Sequence, residues 1–132
     1  MDNREDEKMT EDTRRNDRKT IFCDIDGTIF KHRYSSLHDI MTCNPVLLPG
    51  VIKKFIEWRS KDYYIVLTTA RPEGCRRTTE EHLAIYGLFY DQLVMGLPVG
   101  PRVVINDKKP NGMVTSYAIS LERNEGLESV EV

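Results

Sequence analysis

The sequence lacks any long apolar run. No stretch approaches the roughly 20 consecutive apolar residues that a membrane-spanning helix needs, and the charged N-terminus is not followed by the apolar core of a secretory signal. An excess of charge of either sign is also missing, because the net charge is −2 over 132 residues. Since no overall field attracts nucleic acid or an anionic membrane, we expect a soluble cytoplasmic protein that binds neither.

Cysteine is scarce as well. Cys23, Cys43 and Cys75 are an odd set without the spacing of a disulfide framework, which indicates reduced thiols in a cytosolic protein. His32 and His38 could join cysteines around zinc, but the spacing fits no zinc module. A cysteine-dependent phosphatase is disfavoured too, because the anion-binding loop that would separate its cysteine from its arginine is missing after Cys75.

The length permits one domain and is too short for two. Residues 1–19 are almost entirely polar or charged and cannot bury enough surface to offset the entropy lost on folding, so a disordered tail is predicted there. Residues 20–125 form the predicted domain. The acidic residues 126–132 are expected to fray.

The most informative group of polar residues follows the first apolar run. Residues 21–23 lead directly into two carboxylates, Asp24 and Asp26, and then into Gly27 and Thr28. Side chains two apart in an extended chain face the same side, so the carboxylates can converge on one point, and glycine allows a sharp turn after them. Two aspartates at the end of a buried strand are unfavourable unless a cation or phosphate chemistry uses them.

Apolar runs and helical periodicities alternate along the chain. Strands are predicted at residues 20–24, 63–69, 93–95, 102–106 and 115–121. One helix follows Pro49-Gly50 and another runs from Pro72 to Gly87. The first helix is expected to bury its apolar residues, Val51, Ile52, Phe55, Ile56 and Trp58, and to expose its charged ones.

This alternation predicts an α/β fold, a three-layer Rossmann-like parallel sheet with helices on both faces. The first strand is expected to be buried on both faces, because it does not alternate between apolar and polar residues. Sites in such sheets lie beyond the carboxyl ends of the strands. This sequence places Asp24, Thr69 and Asp107 at three such ends.

Three segments together resemble one family. DIDGT at residues 24–28 resembles motif I of the haloacid dehalogenase (HAD) superfamily of phosphatases and phosphotransferases, LTTAR at residues 67–71 matches motif II, and IND at residues 105–107 resembles the acidic motif IV. The resemblance extends over most of residues 21–125. It implies a HAD-like fold, with a helical turn and a small hairpin flap between residues 29 and 48 and no room for a large cap domain.

The resemblance also implies roles for individual residues. Asp24 is the expected nucleophile that forms an aspartyl-phosphate, and Asp26 is the expected acid and base. The hydroxyl of Thr69 is expected to hold the phosphate, Thr68 being the less favoured choice. The neighbouring residues expected to bind the substrate are Gly27, Thr28, Ala70 and Arg71. Magnesium (Mg2+) is the implied cofactor, with the carboxylates of Asp24 and Asp107 and the backbone carbonyl of Asp26 as its protein ligands.

One element of the family pattern is missing. HAD enzymes need a cation, usually lysine, to hold the nucleophile and the phosphoryl group, and many small relatives carry it in a Gly-Lys-Pro sequence. This chain has Gly96-Leu97-Pro98 at that position. Lys108 is the first candidate for a substitute and Arg71 the second, although arginine is not equivalent to lysine.

The expected activity is magnesium-dependent hydrolysis of a phosphomonoester. The sequence is similar overall to small HAD proteins found among capsule and lipopolysaccharide biosynthesis genes, so a sugar phosphate or similar small metabolite is the favoured substrate. A cleft without a cap must accept a large substrate or be covered by a neighbouring subunit of a homo-oligomer. Two alternatives stay open: a non-catalytic binding or regulatory module, and a phosphotransferase that uses an acceptor other than water.

Overall fold

The centre of the structure is a parallel β-sheet. A computed structural model describes residues 17–132, and within them the sheet has three strands, β1 (Thr20–Asp24), β2 (Tyr64–Thr68) and β3 (Gln92–Val94), in the order β1-β2-β3. The helices are α1 (Leu37–Thr42), α2 (Val51–Ser60) and α3 (Arg76–Ile85), and a 3-10 turn at Glu73–Cys75 precedes α3. The predicted α/β class with a parallel sheet is confirmed, and no large cap domain lies within the described residues.

Strand β2 is the central strand and β1 lies at an edge. The register pairs Thr20 with Tyr64 and Asp24 with Thr68, so β1 and β2 end at the same level. On β2 the residues Ile65, Val66 and Leu67 are buried. On β1 only Cys23 is buried, and 62% of Phe22 is exposed, so the prediction that β1 is buried on both faces was wrong.

Strand β1 lies at an edge of the sheet because two of the predicted strands do not form. Residues 102–106 and 115–121, predicted as the fourth and fifth strands, form no strand in the structure. They are joined instead by a tight turn, where the Lys109 N–H donates to the Met113 carbonyl at 2.9 Å, and by side-chain bonds such as Asn106 Nδ2 to Thr115 Oγ1 at 2.9 Å. Ile105 is 94% exposed, because this turn is not packed on the sheet.

Helix α2 begins after Pro49-Gly50 as predicted, but it turns a different face to the core. Val51, Phe55 and Trp58 are buried, whereas Ile52 and Ile56 are exposed. Lys54, predicted to be exposed, is only 3% accessible. Its ammonium group lies 3.5 Å from the Glu57 carboxylate and 3.3 Å from that of Glu131, and these two partners compensate for its burial.

The packing of the C-terminal residues against α2 determines which face of this helix is buried. Leu127 and Val130 belong to the hydrophobic core, and the Leu127 N–H donates to the Pro49 carbonyl at 2.9 Å. The prediction that residues 126–132 fray was therefore wrong. Apolar residues at this end of the chain pack beside the start of α2 and bring Glu131 to Lys54.

The other local predictions agree better with the structure. Helix α3 ends just before Gly87, as predicted. Between residues 29 and 48 the chain forms the short helix α1, capped by the Ser36 side chain, which confirms the expected helical turn. The expected hairpin is reduced to one isolated antiparallel bridge between Phe30 and Leu47. The predicted tail at residues 1–19 lies almost entirely outside the described residues. Of the helices described, none has the length and apolar character to cross a bilayer.

The close contact of the C-terminal segment with Pro49 generates a stability prediction. Gly126 has a φ of +86°, and a Cβ there would lie 2.3 Å from the Pro49 carbonyl oxygen. Gly112 has nearly the same φ, +88°, but a Cβ there meets no atom within 4 Å. Both glycine-to-alanine changes introduce the same backbone strain, so the contact with Pro49 accounts for the difference between them.

We expect Gly126→Ala to lower the free energy of unfolding by about 2 kcal/mol more than Gly112→Ala does. Urea denaturation of the two variants beside the wild type measures the difference. Equal losses in both variants would show that the C-terminal segment does not pack closely on Pro49 in solution.

Candidate active site

A closed loop begins with Asp24, the last residue of β1, and also carries Asp26. Gly27 has a φ of +91°, which lets its N–H donate to the Phe30 carbonyl at 2.7 Å, while the Ile29 N–H donates to the Ile25 carbonyl at 2.8 Å. Ile25, Ile29 and Phe30 are fully buried and fix the loop to the core. The polar side chains of the loop are thereby left at the carboxyl end of the sheet, where the sequence predicted a site.

Asp24 is the more accessible of the two carboxylates, with 48% of its side chain exposed. Burial of the remainder, with the nearby charge of Asp26, raises its pKa, whereas the Ile25 backbone amide, Arg102 and His32 act in the opposite direction. Arg102 Nη2 lies 4.0 Å from Asp24 Oδ1. Arg102 was not among the predicted site residues, and no local motif marks it, because its position depends on the path of the chain after β3.

Asp26 lies in a different environment, paired with a buried arginine. Arg71 Nε donates to Asp26 Oδ2 at 2.8 Å and Arg71 Nη2 donates to Asp26 Oδ1 at 2.9 Å. This is the two-bond fork that guanidinium and carboxylate groups form best. Only 3% of Arg71 is exposed. Burial disfavours its charge, but the hydrogen bonds and attraction of Asp26 outweigh this, so the pKa of Arg71 is raised.

The remaining nitrogen of Arg71 contacts α3. Its Nη1 donates to Thr79 Oγ1 at 3.1 Å and lies 3.1 Å from His82 Nδ1. The Tyr34 ring centroid is 5.1 Å from the guanidinium carbon. Every nitrogen of Arg71 therefore has a partner within the protein, and the structure assigns Arg71 to holding Asp26. The prediction that Arg71 contacts the substrate, or replaces the missing lysine, does not fit this arrangement.

The segment after β2 is closed by backbone hydrogen bonds. Thr68 pairs with Asp24 in the sheet and is partly exposed, whereas Thr69 lies beyond the ladder and is 1% exposed. The Thr69 hydroxyl accepts the Arg71 N–H at 3.0 Å, and its carbonyl accepts the Leu97 N–H at 3.1 Å. Leu97, at the position where the HAD resemblance leads one to expect lysine, thus packs against the end of β2 through its backbone.

Residues near the C-terminus complete the loop after β1, and no local pattern marks them. The Asn124 N–H donates to the Gly27 carbonyl at 2.9 Å, and the Asn124 side-chain oxygen accepts the His32 N–H at 2.7 Å. A Cβ on Gly27 would lie 3.3 Å from the Arg123 side chain. The loop that carries Asp24 and Asp26 is therefore covered by a segment about a hundred residues further along the chain.

The third predicted carboxylate is not gathered with the first two. Asp107 and Lys108 lie on the exposed turn after residue 102, where the Asp107 carbonyl accepts the Thr115 hydroxyl. No cluster of three or more histidine, cysteine or acidic residues that could hold a metal ion exists within residues 17–132. The predicted magnesium set, the carboxylates of Asp24 and Asp107 with the backbone carbonyl of Asp26, contains only two such side chains and stays a prediction, whereas the zinc alternative would require a cluster of this kind and finds none in residues 17–132.

Cys23 and Cys75, the two buried cysteines, do not offer a nucleophile in place of the aspartates. Burial, together with the charge of Asp24, raises the pKa of Cys23 to about 12. Burial also raises the pKa of Cys75. Both thiols therefore stay protonated near neutral pH, in the unreactive form.

Comparison with known proteins places the fold more firmly than the activity. The sequence matches no protein-family model and no curated protein. Among solved structures, a Pnkp1/Rnl/Hen1 complex is 26% identical over 59% of this chain, with a TM-score of 0.53, and the Pnkp1/Rnl/Hen1 RNA repair complex is 26% identical over 59%, with a TM-score of 0.51. The aligned parts span 27% and 25% of those longer chains.

Another solved structure aligns less closely. D,D-heptose 1.7-bisphosphate phosphatase from B. bronchiseptica, complexed with magnesium and phosphate, is 23% identical over 63% of this chain and 51% of its own, with a TM-score of 0.44. The first two structures share the α/β core described above.

The different environments of the two aspartates generate a stability prediction. We expect Asp26→Asn to lower the free energy of unfolding by about 3 kcal/mol, because it leaves the buried charge of Arg71 without its carboxylate. Asp24→Asn should be neutral or slightly stabilising near pH 7, because the raised pKa of Asp24 shows that the folded protein disfavours its charged form.

Urea denaturation at pH 7 measures both changes, and the double variant Asp26→Asn/Arg71→Met should recover part of the loss. An Asp26→Asn variant as stable as the wild type would mean that Arg71 and Asp26 are not paired in solution.

Proposed function

We propose that this small protein of the HAD fold hydrolyses phosphomonoesters at the carboxyl end of β1. The observation that carries the proposal is the contrast between its two aspartates. Asp24 presents a half-exposed carboxylate to solvent, while Asp26, two residues on, is held by the buried Arg71. One group accessible to a substrate and a second fixed beside it is the arrangement that a nucleophile and its acid-base partner require.

The roles follow from this geometry and from the motif. A carboxylate oxygen of Asp24 attacks phosphorus, and the bond from phosphorus to the leaving oxygen breaks, which gives an aspartyl-phosphate. Asp26 enters this step with a proton, taken from solvent, on one of its oxygens; it gives that proton to the leaving oxygen and recovers one from the water that attacks the intermediate. The family resemblance adds Thr69 and the backbone of Gly27, Thr28 and Ala70 as phosphate contacts, although Thr69 is 1% exposed and the Gly27 N–H already donates to the Phe30 carbonyl.

A positive charge is needed beside Asp24, because a carboxylate and a phosphate repel one another. Arg102 lies 4.0 Å from Asp24, and His32 also acts on the Asp24 carboxylate. Lys108 is the candidate that the sequence suggested, but it lies on the exposed turn with Asp107. The geometry favours Arg102 for the task that lysine performs in relatives.

Magnesium dependence is a separate part of the proposal. The resemblance to HAD enzymes supports it. The proposed ligands are the Asp24 and Asp107 carboxylates and the Asp26 carbonyl, although Asp24, Asp26 and Asp107 form no cluster of three acidic side chains within the described residues.

The substrate class is proposed from the family resemblance. A sugar phosphate or similar small metabolite fits the resemblance to small HAD proteins of capsule and lipopolysaccharide biosynthesis. An RNA end carrying a phosphate is the second class to test, because the similar Pnkp1 structures belong to an RNA repair complex. Parallel assays with sugar phosphates and with phosphate-terminated oligonucleotides distinguish the two.

We expect the protein to release phosphate from p-nitrophenyl phosphate with magnesium present, and Asp24→Asn to lose about a thousandfold or more of kcat. Glu81→Gln is the control, since it removes an exposed carboxylate that pairs with Arg77 on α3. Chelation of magnesium by EDTA tests the metal requirement in the same assay.

The other outcomes of this assay are also informative. No turnover across a broad set of phosphoesters, with the fold intact, would favour a non-catalytic binding module. Phosphate appearing on an added alcohol instead of in solution would identify a phosphotransferase.

Two variants test which residue takes the role of the missing lysine. Arg102→Ala should lower kcat/KM about a hundredfold, because the nucleophile loses the nearest positive charge, while Lys108→Ala should change it less than threefold. Steady-state kinetics at saturating magnesium measure both, with circular dichroism as the check on folding. The opposite pattern would assign the role to Lys108 and would mean that the turn after residue 102 lies closer to Asp24 during turnover.

A further inference from the structure

We propose that His82 is a positioning residue for catalysis, which acts as a neutral hydrogen-bond acceptor and holds Arg71 in its fork with Asp26. This inference rests on the proposed function, because it concerns the acid-base role of Asp26. It assigns a task to a histidine that neither the motifs nor the comparisons single out.

The hydrogen bond between Arg71 and His82 can run in one direction only. Arg71 Nη1 lies 3.1 Å from His82 Nδ1. A guanidinium group has donors only, so His82 Nδ1 must be the acceptor and the ring must carry its proton on Nε2. The contact therefore fixes both the tautomer and the charge of His82: the ring is neutral.

The His82 ring, which is the acceptor, is held rigidly. His82 is 6% exposed, and its ring meets Phe30 edge-on, with the ring centroids 6.3 Å apart. Thr79, three residues earlier on α3, contacts the same nitrogen of Arg71 at 3.1 Å. Residues three apart lie on one face of a helix, so α3 presents two acceptors to Arg71 and restricts the plane of the guanidinium.

The plane of the Arg71 guanidinium determines the orientation of Asp26. Both Asp26 oxygens are bound by the opposite edge of the same planar group, at 2.8 Å and 2.9 Å. Rotation of the guanidinium away from α3 would break the parallel pair of bonds, since the fork is rigid. His82 therefore sets the orientation of Asp26 without touching it, and a small displacement of an acid-base group is enough to slow catalysis.

Protonation of His82 should undo this arrangement. An imidazolium would place a second donor and a second positive charge against Arg71. Burial and the charge of Arg71 lower the pKa of His82, while Asp26 across the guanidinium and Glu81 on α3 act in the opposite direction. The neutral form thus persists to pH values below the ordinary histidine range, and kcat should fall only when the pH drops through the lowered pKa.

Two substitutions of His82 distinguish the effect of losing the hydrogen-bond acceptor from the effect of losing the aromatic ring. His82→Phe keeps an aromatic ring but removes the acceptor, and we expect kcat to fall about tenfold or more with KM within twofold. His82→Asn can place a side-chain oxygen near the position of Nδ1, so it should retain kcat within threefold and lack the acid-side decline that involves His82. His38→Phe, on the exposed helix α1, is the control for a histidine outside the cluster.

Direct detection of the tautomer tests the contact whether or not the protein is a phosphatase. Nitrogen-15 NMR of the imidazole in the wild-type protein near pH 7 should show a bare Nδ1 and a protonated Nε2. A proton on Nδ1 would overturn the inference. It would also be overturned if His82→Phe kept full kcat, or if the Phe and Asn variants lost it equally, since packing alone would then explain the residue. If the wild-type protein turns over no phosphoester, the proposed function fails, and the catalytic role of His82 fails with it, while the NMR result still decides the Arg71 contact.

Discussion

The structure of the site depends on one buried ion pair. Arg71 places a permanent charge where almost no water reaches it, and such a charge is tolerated only when acceptors surround it. Its acceptors come from two different parts of the chain: Asp26 in the loop after β1, and Thr79 and His82 on α3. Arg71 itself follows β2. The need to compensate one charge therefore fixes the relative positions of two strand ends and a helix.

The same ion pair separates two aspartates that the sequence presents as equals. They are two residues apart and share one loop, yet only Asp26 receives a guanidinium fork. Asp24 has a weaker and more distant cation, Arg102 at 4.0 Å, and burial already disfavours its charge. An attached phosphoryl group would need a carboxylate that is not committed to a strong partner, which is the condition of Asp24. A proton-transferring group needs a fixed orientation, which is the condition of Asp26.

Local sequence patterns predicted the elements that form this site but not the contacts that hold it. The apolar runs located β1 and β2 to within one residue, and Gly27 marked the turn between the carboxylates and the flap. The pairing of Asp26 with Arg71, 45 residues apart, has no local signature. The same is true of Leu127 and Val130 in the core and of Lys54 beneath Glu131, because each depends on how the C-terminal segment packs against α2.

The largest error concerned residues 102–106 and 115–121. Their β-branched residues are typical of strands, but strand propensity mainly reports how well a side chain fits a sheet that is already there. Here the two segments bond to each other near a tight turn instead of pairing with β1. The motif at residues 105–107 could be recognised in the sequence because a short motif is defined by its residue types. The position of Asp107 could not be predicted, because it depends on the pairing of a whole strand.

The open edge of β1 has a consequence for the type of reaction. Within the described part of the chain β1 pairs with β2 on one side only, and no strand covers its outer edge and no large cap lies over it, so Asp24 keeps 48% of its side chain in solvent. An enzyme that passes a phosphoryl group to a chosen acceptor must keep water from its intermediate. A carboxylate this exposed does not, so an aspartyl-phosphate formed on it would meet water first. In the proposed mechanism, the fixed carboxylate of Asp26 takes the proton of that water. Exposure of Asp24 and restraint of Asp26 together favour hydrolysis over transfer.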